Sequence, residues 1–343
     1  MHVGIKALLG PLDRFNSQFS SGIATLPQNV AAIGWSASSR AWFCSPEQIV
    51  DNATFQHRVP ATLQFLSDYV LPRLSDQSFW LLLCFDDGWR ERNLYSPNYH
   101  WCGTDDLTQV REWQGMPGSL PLLSSTRRWV ACYGAHCDDP SAVLLPEAHY
   151  LMQHHYGPLF DAIRTGACPW QDKVAEAIFC GGDHGETLNY FPPLVAGRPH
   201  PRKYLAFLAQ ETSLPLQVHL GGRVPQQEQM RYKYIMDVDG YARTWDAWAW
   251  KMFSGSTVLS MASPWVSFFT QLFEAWTHYV PIANDFSDLA DKLEWCRDND
   301  LTCQRIAQQA QQRAREVYKP EFVARHTARD LRKHLNTSPV STA

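Results

Sequence analysis

A chain of 343 residues with 45% hydrophobic residues is longer than single cores usually grow, so two domains are expected. A net charge of −4 without any Lys/Arg-rich run argues against a nucleic-acid partner, and no apolar stretch approaches bilayer-spanning length. The nine cysteines, at 44, 84, 102, 132, 137, 168, 180, 296 and 303, are odd in number, scattered and without a Cys-x-x-Cys pair. That pattern fits reduced thiols better than a disulfide framework. At the amino terminus, MHVGIKALLGPLDRF holds too short an apolar stretch for a signal-peptide core, and NTSPVSTA at the other end is polar; a cytoplasmic protein is expected. Most of the 14 Trp and 13 Tyr are assigned to an aromatic core.

Residues 1 to about 60 give no legible element. The spacing of Leu63, Phe65, Leu66 and Tyr69 predicts a helix over 61–71, stopped by Pro72. Phe79 to Phe85 is a continuous apolar run, the mark of a buried parallel strand, and it delivers Asp86-Asp87-Gly88 to its carboxyl end. Leu120 to Ser124 and Ala142 to Leu145 read as further strands. Glycines and prolines between Tyr156 and Trp170 mark an interdomain link. A strand over 175–179 then runs into Cys180-Gly181-Gly182-Asp183, followed by a helix over 202–210 and a strand over 216–220. Ile235 to Val238 is a strand ending in Asp239-Gly240, and Trp245, Trp248, Lys251 and Met252 lie at helical spacing up to Gly255-Ser256. Thr257 to Leu259 and Tyr279 to Ile282 are strands, and Asp285 to Asp288 is a capping stretch before a helix over 289–296. Helices over 301–318 and 321–335 complete the chain.

Two strand–helix units in succession over 232–300 place polar groups at strand carboxyl ends, where α/β sheets bind ligands. The Tyr-Lys-Tyr lead into Asp237-Val-Asp-Gly, then Trp250-Lys-Met-Phe-Ser-Gly-Ser-Thr-Val-Leu, then Trp276-x-His-Tyr-Val-Pro, Asn284-Asp and Asp285-x-Ser-Asp-Leu follow in order. In that order and spacing the chain resembles the family 90 glycosyltransferases, whose relatives include protein O-glucosyltransferases and bacterial capsule or lipopolysaccharide sugar transferases.

The resemblance implies an α/β fold of the GT-B type, two Rossmann-like domains facing across a cleft: an acceptor-side domain over 1–165, a nucleotide-sugar domain over 166–320, and a final helix in 321–343 leaning back on the first. It implies a metal-independent, inverting transfer of a hexose or pentose from a uridine diphosphate (UDP) sugar to a hydroxyl of a glycan or lipid-linked glycan. No cofactor is needed beyond the donor substrate, and a lipid-linked acceptor would bring a cytoplasmic protein of the bacterial branch to the inner face of the membrane. Oligomeric state is not legible.

Asp87 aligns with the acidic position that relatives use as base, with Asp86 as the alternative; Asp-Asp-Gly also caps turns. For the donor, the resemblance points to Phe179, Gly181, Gly182, Asp239, Gly240, Arg243, Lys251, Gly255 and Ser256. Cys180 stands where many relatives carry an arginine, so Lys251 with the glycine-loop amides is expected to hold the diphosphate, with Arg243, Arg198, Arg202 and Lys203 as further cations. Two competing classes are a non-catalytic carbohydrate- or nucleotide-binding protein and a metal-dependent hydrolase. The hydrolase would use His136, Asp138, Asp139, His149, His154, His155, Asp183, His184 and Glu186, but His-Glu-x-x-His is absent.

Overall fold

The computed structural model describes residues 30–37, 40–45, 53–74, 79–89, 130–137, 139, 142–183 and 200–336. These residues fall into two compact units, one of residues 1–152 and 320–343, the other of residues 153–319.

The first unit is built on a five-stranded sheet. Strands β1 (Val30–Ser36) and β2 (Ala41–Ser45) form an antiparallel hairpin, and β1 also pairs antiparallel with β3 (Phe79–Cys84). From β3 the sheet continues parallel through β4 (Val130–Cys132) to β6 (Ala142–Leu144), while β5 (Gly134–His136) bridges to Trp89. The unbroken apolar run of β3 is explained by its central place, since Leu82, Leu83 and Cys84 are all buried. Helix α1 (Ala53–Phe65) starts earlier than expected and runs through Pro60 into a wider turn at Leu66–Val70. Its buried stripe, Val59, Leu63, Leu66 and Val70, keeps helical spacing across that change of pitch. Trp42 ties the hairpin to this helix by donating to Ser67 Oγ at 2.8 Å. A short helix α2 (Ala148–Met152) packs against α1. The expected strand over 120–124 lies outside the described residues.

The second unit starts at Gln153 and includes α3 (Gly157–Thr165), which the expected boundary at 165 places in the first domain. Its Phe160 stacks on Phe253 with centroids 4.3 Å apart and meets Tyr318 edge-on, so the boundary falls before this helix rather than after residue 165. Its five-stranded sheet is parallel throughout. From β7 (Val174–Gly181) the chain passes through α4 (Pro201–Glu211) to β8 (Leu216–Leu220) at one side. It then returns through α5 (Gln226–Gln229) to β9 (Tyr232–Asp237) on the other side of β7. Helix α6 (Asp246–Phe253), β10 (Thr257–Met261), a short β11 (Trp265–Ser267) and β12 (Val280–Ile282) follow.

Helices α7 (Leu289–Asp298) and α8 (Asp300–Val317) close the unit, and α9 (Pro320–Asn336) belongs to the first unit, against Leu66–Arg73 and β6. On α8 the buried positions Cys303, Ile306, Ala307, Ala310, Ala314 and Val317 form one stripe, and its alanines suit it to lie close against α6. Among the described residues no helix is long and apolar enough to cross a membrane.

Gly255 ends α6 with φ +71°, a left-handed conformation that glycine adopts without cost. Gln311 of α8 donates to the Phe253 carbonyl at 2.9 Å and satisfies the helix end. Gly255→Ala is therefore expected to cost about 1 kcal/mol in urea unfolding while leaving ligand affinity unchanged.

Candidate functional site

The direction of the chain reverses at β7, because its successor β8 lies on one side and β9 on the other. Such a switch point opens a crevice outside the carboxyl ends of the two strands. Here those ends are Phe179 to Gly182 on β7 and Asp237 to Gly240 on β9. Into this place α4 brings Arg202. His200 caps the helix by accepting from Arg202 N on its Nδ1 at 3.3 Å, and Pro201 fixes the first turn. The Arg202 guanidinium donates to Val238 O through Nε and Nη2, at 3.3 and 3.2 Å, and to Gly182 O through Nη1 at 3.2 Å. It lies 5.7 Å from the centroid of the Phe179 ring.

The glycines suit this close packing. A Cβ on Gly240 would sit 3.1 Å from Arg202 Nη2, and a Cβ on Gly181 would press within 2.9 Å of the buried Phe179 ring. Cys180 holds the neighbouring loop, its Sγ donating to Gly222 O and accepting from Val224 N, each at 3.4 Å.

Beneath the crevice lies a cluster of four charges. Lys251 Nζ reaches Asp237 Oδ1 at 2.8 Å, and Arg243 bridges both carboxylates, at 3.1 Å to Asp237 Oδ2 and 3.0 Å to Asp239 Oδ1. Thr244 donates to Asp237 at 2.8 Å, Ser260 accepts from Arg243 at 2.7 Å, and Ser263 donates to Asp239. The Arg243 guanidinium also lies 4.7 Å from the Trp248 ring centroid.

Both aspartates are 0% exposed, Lys251 3% and Arg243 7%. Burial alone would raise the Asp237 carboxyl, but Lys251, Arg243 and Thr244 outweigh it and hold it at about 2. Burial pushes the Asp239 carboxyl up against Arg243 and Ser263, and pushes the Lys251 ammonium down against Asp237. The opposite charges of Asp237 and Asp239 outweigh burial at Arg243 and raise it.

This arrangement corrects several expectations. Lys251 was expected to hold a diphosphate, yet its ammonium is buried on Asp237; Arg243 is committed in the same way, and the Asp239 carboxylate points at Arg243 and Ser263. All three lie under the crevice, because Arg243 in the turn after β9 and Lys251 in the last turn of α6 both pair with the carboxylates at the end of β9. Gly255 and Ser256 are displaced further. Ser256 precedes β10 and donates to Tyr232 O at 2.7 Å, so both residues sit at the amino edge of the sheet, opposite the crevice. Lys173 donates to Ser256 Oγ there at 2.8 Å, and burial lowers its ammonium to about 8. Phe179, Gly181, Gly182 and Gly240 do meet at the crevice, joined by Arg202, which the sequence offered only as one cation among several. Lys203, one position on, is exposed.

In the first unit, Asp86 and Asp87 follow β3 as expected. Asp87 Oδ1 accepts from Arg58 Nη2 at 2.8 Å and its side chain is 28% exposed. Asp86 is buried, and its Oδ1 accepts from the Asp87 amide at 2.8 Å. The Asp285 and Asp288 carboxylates were expected to cap α7; instead they accept from Ser287 N at 3.0 Å and Ala283 N at 2.8 Å, inside the loop. Among the described residues no three or more His, Cys, Asp or Glu gather as a metal site. Asp138, His184, Glu186 and Arg198 lie outside those residues.

A parallel sheet with glycine-lined strand ends and an arginine at the switch point defines a Rossmann-like α/β protein. Residues 159–333, about half of the chain, match Glycosyl transferase family 90, and the chain belongs to that family. It is 28% identical over 222 residues to human protein O-glucosyltransferase 3, covering 61% of this chain and 41% of that one. It is 30% identical over 251 residues to uncharacterized protein 035R of Invertebrate iridescent virus 3, covering 66% of this chain and 22% of the viral one. The chain thus spans less than half of each of these relatives. A solved structure of Anabaena HepE with UDP-glucose covers 53% of this chain and 45% of that one at 16% identity, with a TM-score of 0.30, too small an overlap to place a ligand by.

Because Asp237 is held below the usual carboxylate range, it contributes stability above pH 4 that is lost as pH falls towards 2. Urea unfolding of wild type and Asp237→Asn is expected to differ by about 3 kcal/mol at neutral pH, with the gap narrowing from pH 4 downward.

Proposed function

We propose that the chain is a glycosyltransferase that moves a sugar from a UDP-sugar donor to a hydroxyl group. The observation that carries this reading is the Arg202 guanidinium held at the switch point between glycine-lined strand ends, in a chain that belongs to family 90. Negative charge builds on the departing diphosphate during transfer, and a fixed guanidinium is suited to meet it. Arg202 thus takes the role first given to Lys251, with the Gly181, Gly182 and Gly240 backbone beside it.

The relatives named protein O-glucosyltransferase support glucose as the sugar and a hydroxyl as the acceptor. In a single inverting displacement Asp87 takes the hydroxyl proton, the hydroxyl oxygen bonds to the sugar's anomeric carbon, and the bond to the diphosphate breaks as UDP leaves. The Asp237-Val238-Asp239 carboxylates are satisfied by Lys251 and Arg243, which supports a reaction without a metal on that motif. A glycan or lipid-linked glycan as acceptor, a cytoplasmic location with attachment to the inner face of the membrane, and a bacterial capsule or lipopolysaccharide role all rest on the sequence resemblance.

Calorimetry in chelator is expected to record UDP binding, and Arg202→Ala should weaken it by about 1.5–3 kcal/mol with little change for uridine. Equal losses for both ligands would remove Arg202 from the diphosphate. For Asp87→Asn, turnover should fall by about 10²–10⁴-fold at nearly constant UDP affinity. Full activity in that variant would move the base elsewhere, and UDP binding without turnover of any acceptor would favour the non-catalytic binding protein.

A further inference from the structure

We propose that the buried Asp237, Lys251, Arg243 and Asp239 cluster is a positioning device: it fixes the Val238 carbonyl and, through it, the direction in which Arg202 points. The ligand in this proposal rests on the nucleotide-sugar reading; the linkage between cluster and arginine does not.

Val238 lies between the two clustered carboxylates in sequence. Its carbonyl belongs to the peptide that joins it to Asp239, and Asp239 is clamped by Arg243 and Ser263. Asp237 on the other side is clamped by Lys251, Arg243 and Thr244. That peptide therefore has little freedom to rotate, and its oxygen accepts two of the three hydrogen bonds by which Arg202 is held to Val238 and Gly182. The third, to Gly182 O at the end of β7, completes a two-strand seat.

Burial decides against a direct role in binding for the cluster, since Lys251 is 3% exposed and Arg243 7%. Four buried charges are also a costly way to hold a strand end, because apolar residues of similar volume often serve stability as well. What apolar packing does not supply is a fixed orientation for one peptide carbonyl. The neighbouring turn is adapted to the same purpose: Gly240 N donates to Ala242 O at 3.2 Å, and the missing side chain leaves the space that Arg202 Nη2 fills.

The test uses the full chain with two readouts. In the first, UDP and uridine affinities are measured for wild type, Asp237→Asn, Arg202→Ala and the double variant. Asp237→Asn is expected to weaken UDP by at least about tenfold with uridine changed less than about twofold, and to have no further effect once Arg202 is Ala. Loss of stability with an unchanged ratio of UDP to uridine affinity would overturn the proposal. In the second readout, which needs no ligand, the Arg202 Nε–H resonance is assigned by its disappearance in Arg202→Lys. It should shift and exchange with solvent faster in Asp237→Asn, and an unaltered resonance would overturn the proposal. Failure of wild type to bind UDP would sink the nucleotide-sugar reading, leaving the second readout to decide the linkage. Thr244→Val, which removes one hydrogen bond to Asp237, serves in both measurements where Asp237→Asn does not fold.

Discussion

The second unit is organised around the end of β9, where two carboxylates and two cations are buried together. Neither aspartate reaches water, so each depends on Arg243 or Lys251 for the solvation it has lost, and those cations depend on the carboxylates in return. Both cations follow the strand in sequence, Arg243 in the turn after Asp239 and Lys251 on α6, so pairing them locks the helix onto the strand it follows. Trp248 lies between them on the same helix and packs edge-on against Phe273 and Tyr279, joining the cluster to the apolar core. Beside this arrangement the Val238 carbonyl, itself buried, accepts from Arg202.

A crevice lined by backbone needs residues without side chains and a cation from another element. Gly181 and Gly240 answer the first need, and α4 answers the second with Arg202 in its first turn. Cys180, between Phe179 and Gly181, is turned to the loop after β8. Its thiol serves as a modest latch for that loop. The positive charge at the switch point comes from the helix after β7 instead of from the strand itself.

The elements whose signal is local are legible in the sequence. The strands at 79–84, 142–144, 216–220 and 257–261, and the helices over 201–211, 289–298 and 300–317, are visible as apolar runs or helical spacing closed by Gly, Pro or Asp. The hairpin of β1 and β2 was missed because Val30 to Ser36 carries no strict alternation and Ser-rich flanks mask its ends. Strand β4, Val130 to Cys132, is illegible because, unlike β6 of the same length with Pro146 behind it, no proline closes it. The site was half legible: glycines at strand ends and the Asp-Val-Asp-Gly turn stand out, but sequence does not say whether a cation beside them faces a ligand or a buried carboxylate. Lys251 and Arg202 look alike in one dimension, and only burial separates them. Gly255 and Ser256 stand at the junction of α6 with β10, and counting strand direction through the parallel sheet puts them at the opposite edge.

The proposed donor site places a nucleotide diphosphate at the β7–β9 switch point. Glycine amides report on it directly, because Gly181, Gly182 and Gly240 line that crevice while Gly255 lies at the amino edge. In a glycine-labelled NMR titration with UDP, the Gly181, Gly182 and Gly240 resonances are expected to shift together and saturate while Gly255 stays in place. Shifts confined to Gly255, or saturable binding that moves none of the three crevice glycines, would contradict it.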